Sequence, residues 1–449
     1  MMSYSTLAKV WFVLSVAVLG VAYGIAANQW GWFPSSLAEQ GWHEAQSLLY
    51  DAPFKSGPQV YERKGVRRVR PEEMQPGLTL IASSWEEADG WNPEVRLIDE
   101  QGRVIHKWRI DKKEVFGGGG RTKKEPSRVS VHGTYLLPNG DLLVNLEYIG
   151  MARFDACGNV IWTLMEGNHH SIARDGDGSF WTPGVSEKLR MKTSNYLDGF
   201  PGINNPVWLD QILQVSRDGE VLTRITVLDI LYENGLERYI VKKLGPYPRD
   251  EEVERDPVHL NDVEPLASSM ADEYPLFEAG DLLISLRHPS LVFVFSPESG
   301  EVKWYTSRPF HHQHDPDFIG DGWIGVFDNN TDPTRRGKML GGSRIAEIQS
   351  HTDLSVVTFP TQHSEPFYTY VQGKWQKLKN ENMLLSESRA GRVVEVKPDG
   401  RTVWEWIHKP LHDSKVPAVT EATRLDLTRE DVASWDCSST DSTVGSAQK

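Results

Sequence analysis

VVEVKPDGRTVWEW, residues 393–406, is the stretch on which the fold reading turns. Apolar side chains alternate through Val394 and Val396, the chain turns at Pro398-Asp399-Gly400, and a second run carries Trp404 and Trp406. Alternation with period two on both sides of a glycine turn predicts a β-hairpin. The same form recurs at VRLIDEQGRVIHKW (95–108), MARFDACGNVIWTL (151–164), ILQVSRDGEVLTRI (212–225) and VFVFSPESGEVKWY (292–305). A copy without the glycine follows at RIAEIQSHTDLSVV (344–357).

A second pattern lies between these hairpins: YLLPNGDLLVN (135–145), ARDGDGSFWTP (173–183), FEAGDLLISL (277–286), FIGDGWIGVF (318–327) and KLKNENMLLSE (377–387). Each reads as strand, turn, strand. Two hairpins per unit make a four-stranded sheet, and six units of roughly 50 to 80 residues predict an all-β, six-bladed β-propeller. GLTLIAS (77–83) is expected to complete the last blade. Two unrelated β domains are the rival reading. The hairpin form does not change between the halves, which argues against them.

Ahead of the body, VWFVLSVAVLGVAYGIAA (10–27) is apolar and uncharged. Lys9 precedes it, and Glu39, Glu44 and Asp51 follow. Its length and the positive-inside rule predict a transmembrane helix with a cytoplasmic amino terminus. A cleaved signal peptide ending at Gly24-Ile25-Ala26 is the alternative. Either way the body is expected outside the cytoplasm, on the periplasmic side of the inner membrane. The expected organisation is therefore residues 1–9 cytoplasmic, 10–27 anchor, 28–76 helical and linker segment, 77–410 propeller and 411–449 tail. Within the second of these extramembrane parts, a short helix capped by Ser36 is expected to end near Tyr50.

Net charge is -14. Without a long basic run such a chain is a poor nucleic-acid binder, since phosphate neutralisation dominates that affinity. The two cysteines, Cys157 and Cys437, lack zinc spacing and could pair in an oxidising compartment. Insertions at 187–210 and 228–257 interrupt the repeat and are expected as loops on a face, where binding often occurs.

The histidines follow the repeat. His132 lies eight residues before Gly140, His170 eight before Gly178 and His314 eight before Gly322; His259 precedes Gly280 in its own unit at longer spacing. If the strand concerned is the innermost of each blade, four imidazoles converge on one mouth of the channel. Imidazoles near neutral pKa suit proton transfer, nucleophilic attack or metal binding. A metal would need second-shell help from Asp315 or Asp262; the reading preferred here uses no metal and no cofactor.

DPVHLNDVEPL (256–266), DLLISLRHPSLVFVFSPESGEVKW (281–304), QHDPDFIGDGWIGVFDNN (313–330) and LLSESRAGRVVEVKPDGRTVWEW (384–406) together resemble the bacterial arylsulfotransferase family. The resemblance implies a six-bladed propeller outside the cytoplasmic membrane that moves a sulfuryl group from a phenolic sulfate ester to a phenol or other hydroxyl acceptor. It implies no nucleotide donor and, in the family, a sulfated histidine intermediate. It maps the central histidines onto His259 and His314, and an assisting arginine onto Arg335 or Arg336. His132, His170, Asn261, Arg287, Glu387 and Arg389 are the candidate substrate contacts. The family's sulfated histidine has no counterpart in LLSESRAGR. The expected partners are an aryl sulfate, a phenol acceptor, the membrane through the N-terminal helix and, as an option, a second copy of the chain. The alternative function is a non-catalytic propeller that binds a glycan, an envelope component or a protein.

Overall fold

The computed structural model describes residues 4–30, 55–88, 90–117, 130–241, 255–332, 334, 336–411 and 415–435. The chain divides into two units, Met1–Pro53 and Phe54–Lys449. The first contains helix α1, Tyr4–Trp30, which encloses the expected anchor. Its described apolar side chains, Trp11, Phe12 and Leu19 among them, are exposed. Among the described residues no helix is long and apolar enough to cross a membrane. The helix expected from Ser36 to Tyr50, Cys437 and Arg335 lie outside the described residues.

The second unit is the expected propeller, with six sheets of four or five antiparallel strands. Blade 2 (131–164), blade 3 (173–226), blade 4 (260–306) and blade 5 (314–359) each take four strands in chain order. Blade 6 adds Gly65–Arg68 as a fifth, outer strand beside Thr402–Ile407. Blade 1 closes the circle differently from the sequence expectation. Leu78–Glu87 does not complete the last blade. It is the second strand of the first, and the innermost strand comes from the far end of the chain, Glu421–Leu425, paired as Glu421↔Ala82 through Leu425↔Leu78. The propeller therefore runs past residue 410. Ser56–Pro58 pairs with Lys415–Pro417, so both ends of the body are tied to the same region.

The hairpin that lacks a glycine forms nonetheless. Between Arg344–Gln349 and Ser355–Phe359, Asp353 takes the left-handed conformation (φ 57°) that glycine supplies elsewhere. Aspartate tolerates this region better than most residues. Alternating side chains of each sheet bury between blades. Ile212, Val263, Ile284 and Phe293 fill the seam of blades 3 and 4, and Val95, Trp108, Val144 and Phe154 that of blades 1 and 2. Fully burying one such side chain stabilises the fold by roughly 1.5–3 kcal/mol. The first insertion is no free loop. Phe200, Ile203 and Val207 pack with Leu228, Leu231 and Leu236 of the second in the same core.

Candidate active site at the channel mouth

Each blade's innermost strand begins at one mouth of the channel. The backbone there is irregular for a reason. Pairing slips between Val131 and Thr134, between Leu260 and Asp262, and between His314 and Pro316. Such bulges add a residue to one strand and re-aim its side chains. His170 (φ 55°), His259 (φ 52°) and Asp315 (φ 48°) are left-handed at these points. That conformation costs a non-glycine residue energy and is retained where the surroundings over-determine it. At Gly133 no side chain fits, because a Cβ would stand 1.6 Å from the His170 carbonyl oxygen.

All six blades therefore contribute a pair of residues to one small cavity: His132-Gly133, His170-Ser171, Asn261-Asp262, His314-Asp315, Gly373-Lys374 and Thr420-Glu421. Its volume is about 30 Å³, room for an ion-sized group or a water. His170 is the hub of the imidazoles. Its ring centroid lies 4.1 Å from that of His132, 5.3 Å from His259 and 6.2 Å from His314. His288 continues the cluster, 4.7 Å from His259.

Buried acceptors fix the tautomers. His314 Nδ1–H donates to Asn329 Oδ1 at 2.6 Å. The amide is itself oriented, since Asn329 Nδ2 donates to the Thr369 and Gln372 carbonyls. His259 Nδ1–H donates to Asp256 Oδ2 at 2.6 Å, and His288 Nδ1–H to the Asp256 carbonyl at 2.6 Å. In these tautomers Nε2 of His259 and of His314 keeps its lone pair. Burial holds His170 well below the usual histidine range, helped by His132 and His169. Burial does the same for His314, and next the Arg287 guanidinium. His288 is also held well below, by burial first and then by His259. These rings are neutral at pH 7.

Amide side chains tie the mouth segments across blades. Asn145 of blade 2 donates to the carbonyls of His169, His170 and Ser171. Asn261 of blade 4 donates to the Gln313 carbonyl at 2.7 Å. Asn329 of blade 5 does likewise to the segment before blade 6. Asn261, expected as a substrate contact, thus lines the cavity and also holds the segment that carries His314.

Next to the imidazoles the channel turns ionic. Lys374 pairs with Asp315 at 2.9 Å and Glu421 at 3.5 Å. Burial, and then the charge of Asp315, raises the carboxyl of Asp262 well above its usual range; Asp317 is raised by the same two causes in the same order. Burial pushes Glu264 up to about 7 against the pull of Lys374. Lys374 was not legible as a site residue, because lysine in a polar stretch gives no periodic signal. Asp256 and Asn329 lie within the motifs quoted above, as the acid three residues before His259 and the first asparagine of FDNN.

The remaining expected residues fall elsewhere. Arg336 is exposed, its Nε donating to Thr334 Oγ1 at 3.0 Å, and it does not line the cavity. Arg287, next to His259 in space through its N–H to the His259 carbonyl (3.0 Å), is the arginine that acts on the rings. Glu387 is buried in an ionic network of blade 6, accepting from Tyr61 Oη at 2.6 Å and from the Tyr368 N–H. Arg389 is half-buried over the Tyr370 ring, 5.4 Å from its centroid. Neither lines the mouth. His311 and His312 are neighbours of the site rather than members, with His312 6.3 Å from His288.

Fold and mouth together define a six-bladed propeller whose channel opens on a cluster of histidines. The chain belongs to the arylsulfotransferase (ASST) family, whose model matches residues 133–409. No curated protein matches the sequence. Among solved structures the chain is similar to a protein of unknown function from Bacteroides caccae, at 13% identity over 79% of this chain and 100% of that one, with a TM-score of 0.49. It is similar also to a streptogramin B lyase (11% identity, 79% and 88% covered, TM-score 0.38) and to TolB from Acinetobacter baumannii (12%, 77% and 65%, 0.39). None of these bears on activity at such identity.

Proposed function

We propose that the chain transfers a sulfuryl group from a phenolic sulfate ester to a phenol or other hydroxyl acceptor at the histidine mouth. The observation that carries this is the pair His259 and His314, from different blades, each with Nδ1 tied to a buried acceptor and Nε2 left as a lone pair. Their partners divide the work. Asp256 is a carboxylate, so it stabilises His259 as an imidazolium; His259 takes and returns the phenol proton. Asn329 is neutral and offers no such help, so His314 stays uncharged and is the candidate nucleophile toward sulfur. In that step the N–S bond forms as the S–O(aryl) bond breaks, and the aryl oxygen leaves as a phenolate; the proton that His259 later takes from the acceptor is the one it returns. The acceptor hydroxyl then gives its proton to His259 as its oxygen displaces His314. Arg287 does not line the cavity, but its charge reaches His314 and His288, and it is the proposed partner for negative charge on the sulfuryl oxygens. The small cavity receives the sulfuryl end, with the aromatic ring outside it.

The missing late-blade histidine is thereby answered from within the chain, by His314. The body is proposed to lie outside the cytoplasm, held by the apolar helix Tyr4–Trp30. The test is turnover of 4-nitrophenyl sulfate with a phenol acceptor by the full chain and by His259→Ala and His314→Ala. Activity equal to wild type in both variants would remove these residues from the mechanism. For the anchor, a full chain recovered in the soluble fraction would end that part of the proposal.

A further inference from the structure

We propose that His132, Glu147 and His170 hold a divalent transition-metal ion of the zinc type, with an open coordination position facing the channel mouth. One ligand atom from each of the three lies within 4.8 Å of the others, and all three residues are buried. His132 Nδ1 stands 3.6 Å from Glu147 Oε1. That is long for a hydrogen bond. It is close to the separation of roughly 3.3 Å between two ligands on a tetrahedral ion with bonds of about 2.0–2.1 Å. His132 is 7% exposed, and its Nδ1 has no hydrogen-bond partner. A buried imidazole nitrogen aimed at a carboxylate it does not reach is what a site built for an ion between them presents.

The surroundings prepare each ligand. Ser130 Oγ donates to Glu147 Oε2 at 3.1 Å and Lys55 pairs with the same oxygen, which leaves Oε1 for the ion. His170 Nδ1 lies 2.7 Å from His169 Nδ1. His169 Nε2 faces Asp210 at 4.0 Å, which favours a proton on Nε2 and an acceptor at its Nδ1. His170 then donates through Nδ1 and keeps the Nε2 lone pair for a metal, a relay of the kind that orients metal-bound histidines. The other acid-and-histidine group, Asp256 with His259 and His288, is different: its carboxylate and imidazole are closed on each other at 2.6 Å.

Two imidazoles and one carboxylate suit zinc over magnesium or calcium, and three protein ligands leave a position for an exogenous oxygen. His132 and His170 line the cavity together with His314, so that position meets the sulfuryl group. The ion would act as a Lewis acid on a sulfuryl oxygen. That role rests on the sulfotransferase reading; the metal site itself does not.

The experiment is zinc titration of the chelator-stripped full chain by calorimetry, with metal content by elemental analysis and the visible spectrum of the cobalt-substituted protein. Wild type should bind about one zinc per chain and give the d–d absorption of a low-symmetry cobalt site. His132→Gln and the conservative Glu147→Gln should each weaken zinc at least 100-fold while near-UV circular dichroism stays native. His288→Gln should bind as wild type does. A wild type that takes up no zinc, or a Glu147→Gln variant that binds and colours like wild type, overturns the proposal. Loss of zinc in His288→Gln with retention in His132→Gln also overturns it. Zinc binding without sulfotransfer would keep the site and end the proposed reaction; full sulfotransfer by a chain that binds no zinc would do the reverse.

Discussion

Two clusters of ionisable side chains stand in this propeller, and they are built on opposite plans. In blade 6, Arg392 is 1% exposed, and its charge is matched by Glu405 at 2.8 Å, Glu365 at 2.9 Å and Glu387 at 3.5 Å. Tyr61 caps it with a hydrogen bond to Glu387, and its hydroxyl is raised well above the usual range, by burial first and then by Glu387. Every strong donor and acceptor there has an answer. At the mouth, His259 is tied through Nδ1 to a carboxylate and His314 through Nδ1 to a neutral amide, and His132, His170 and His314 share one cavity with Asp262, Asp315 and Glu421. The first cluster locks the strap 55–70 to the last blade. The second places His132, His170 and His314 on a cavity, with His259 beside His170. Matched charge marks structure, and imidazoles gathered on a cavity mark chemistry.

The comparison can be broken most directly at His314. His314→Ala should lower kcat/KM for 4-nitrophenyl sulfate by about 10²–10⁴-fold and leave the unfolding midpoint little changed. A large loss of Tm with activity kept would invert the assignment of the two clusters. At blade 6 the expectation reverses. Glu387→Ala leaves the buried Arg392 short of a partner and should cost about 3–5 kcal/mol of stability, with turnover per folded molecule unchanged. Denaturant titration and activity on the same samples read both.

A third test uses pH. Burial lowers His408 to about 4, against the hydrogen bond to the Lys409 carbonyl. The folded chain thus keeps it neutral between its ordinary value near 6.5 and about 4, while the unfolded chain takes up a proton there. Its contribution is complete above pH 6.5 and is lost as pH falls, by up to about 3 kcal/mol near pH 4. His408→Phe should flatten that part of the stability profile; a profile with the same slope in both proteins counts against it. The smallest effects concern the arginines. Arg287→Ala should lower kcat/KM by about 10–100-fold, and Arg336→Ala by less than about twofold, as is usual for an exposed side chain without a buried partner. Equal losses in the two would return the anion clamp to the exposed loop.

Much of the fold was legible because it is local. Alternation and turn glycines are set within a dozen residues, so the hairpins and the count of blades could be read along the chain. The register of His132, His170 and His314 before their turn glycines was legible for the same reason. The sites that failed did so where residue type was read without neighbours. Glu387 and Arg389 carry the right chemistry in the family's motif, yet Glu387 is consumed by Tyr61 and Arg392, and Arg389 lies over Tyr370. Arg336 follows FDNN at the expected distance but faces solvent.

By itself the sequence determined a repeated four-stranded unit and a histidine in the same place in several of its copies, since both depend on period and spacing. Tertiary structure alone decided that Glu421–Leu425 closes the first blade and that Lys374 sits among the channel acids. It alone brought Lys55 to Glu147 and Asn329 to His314. These contacts join segments far apart in the chain that meet only because six sheets converge on one axis, and no local pattern encodes which side chains a shared axis will bring together.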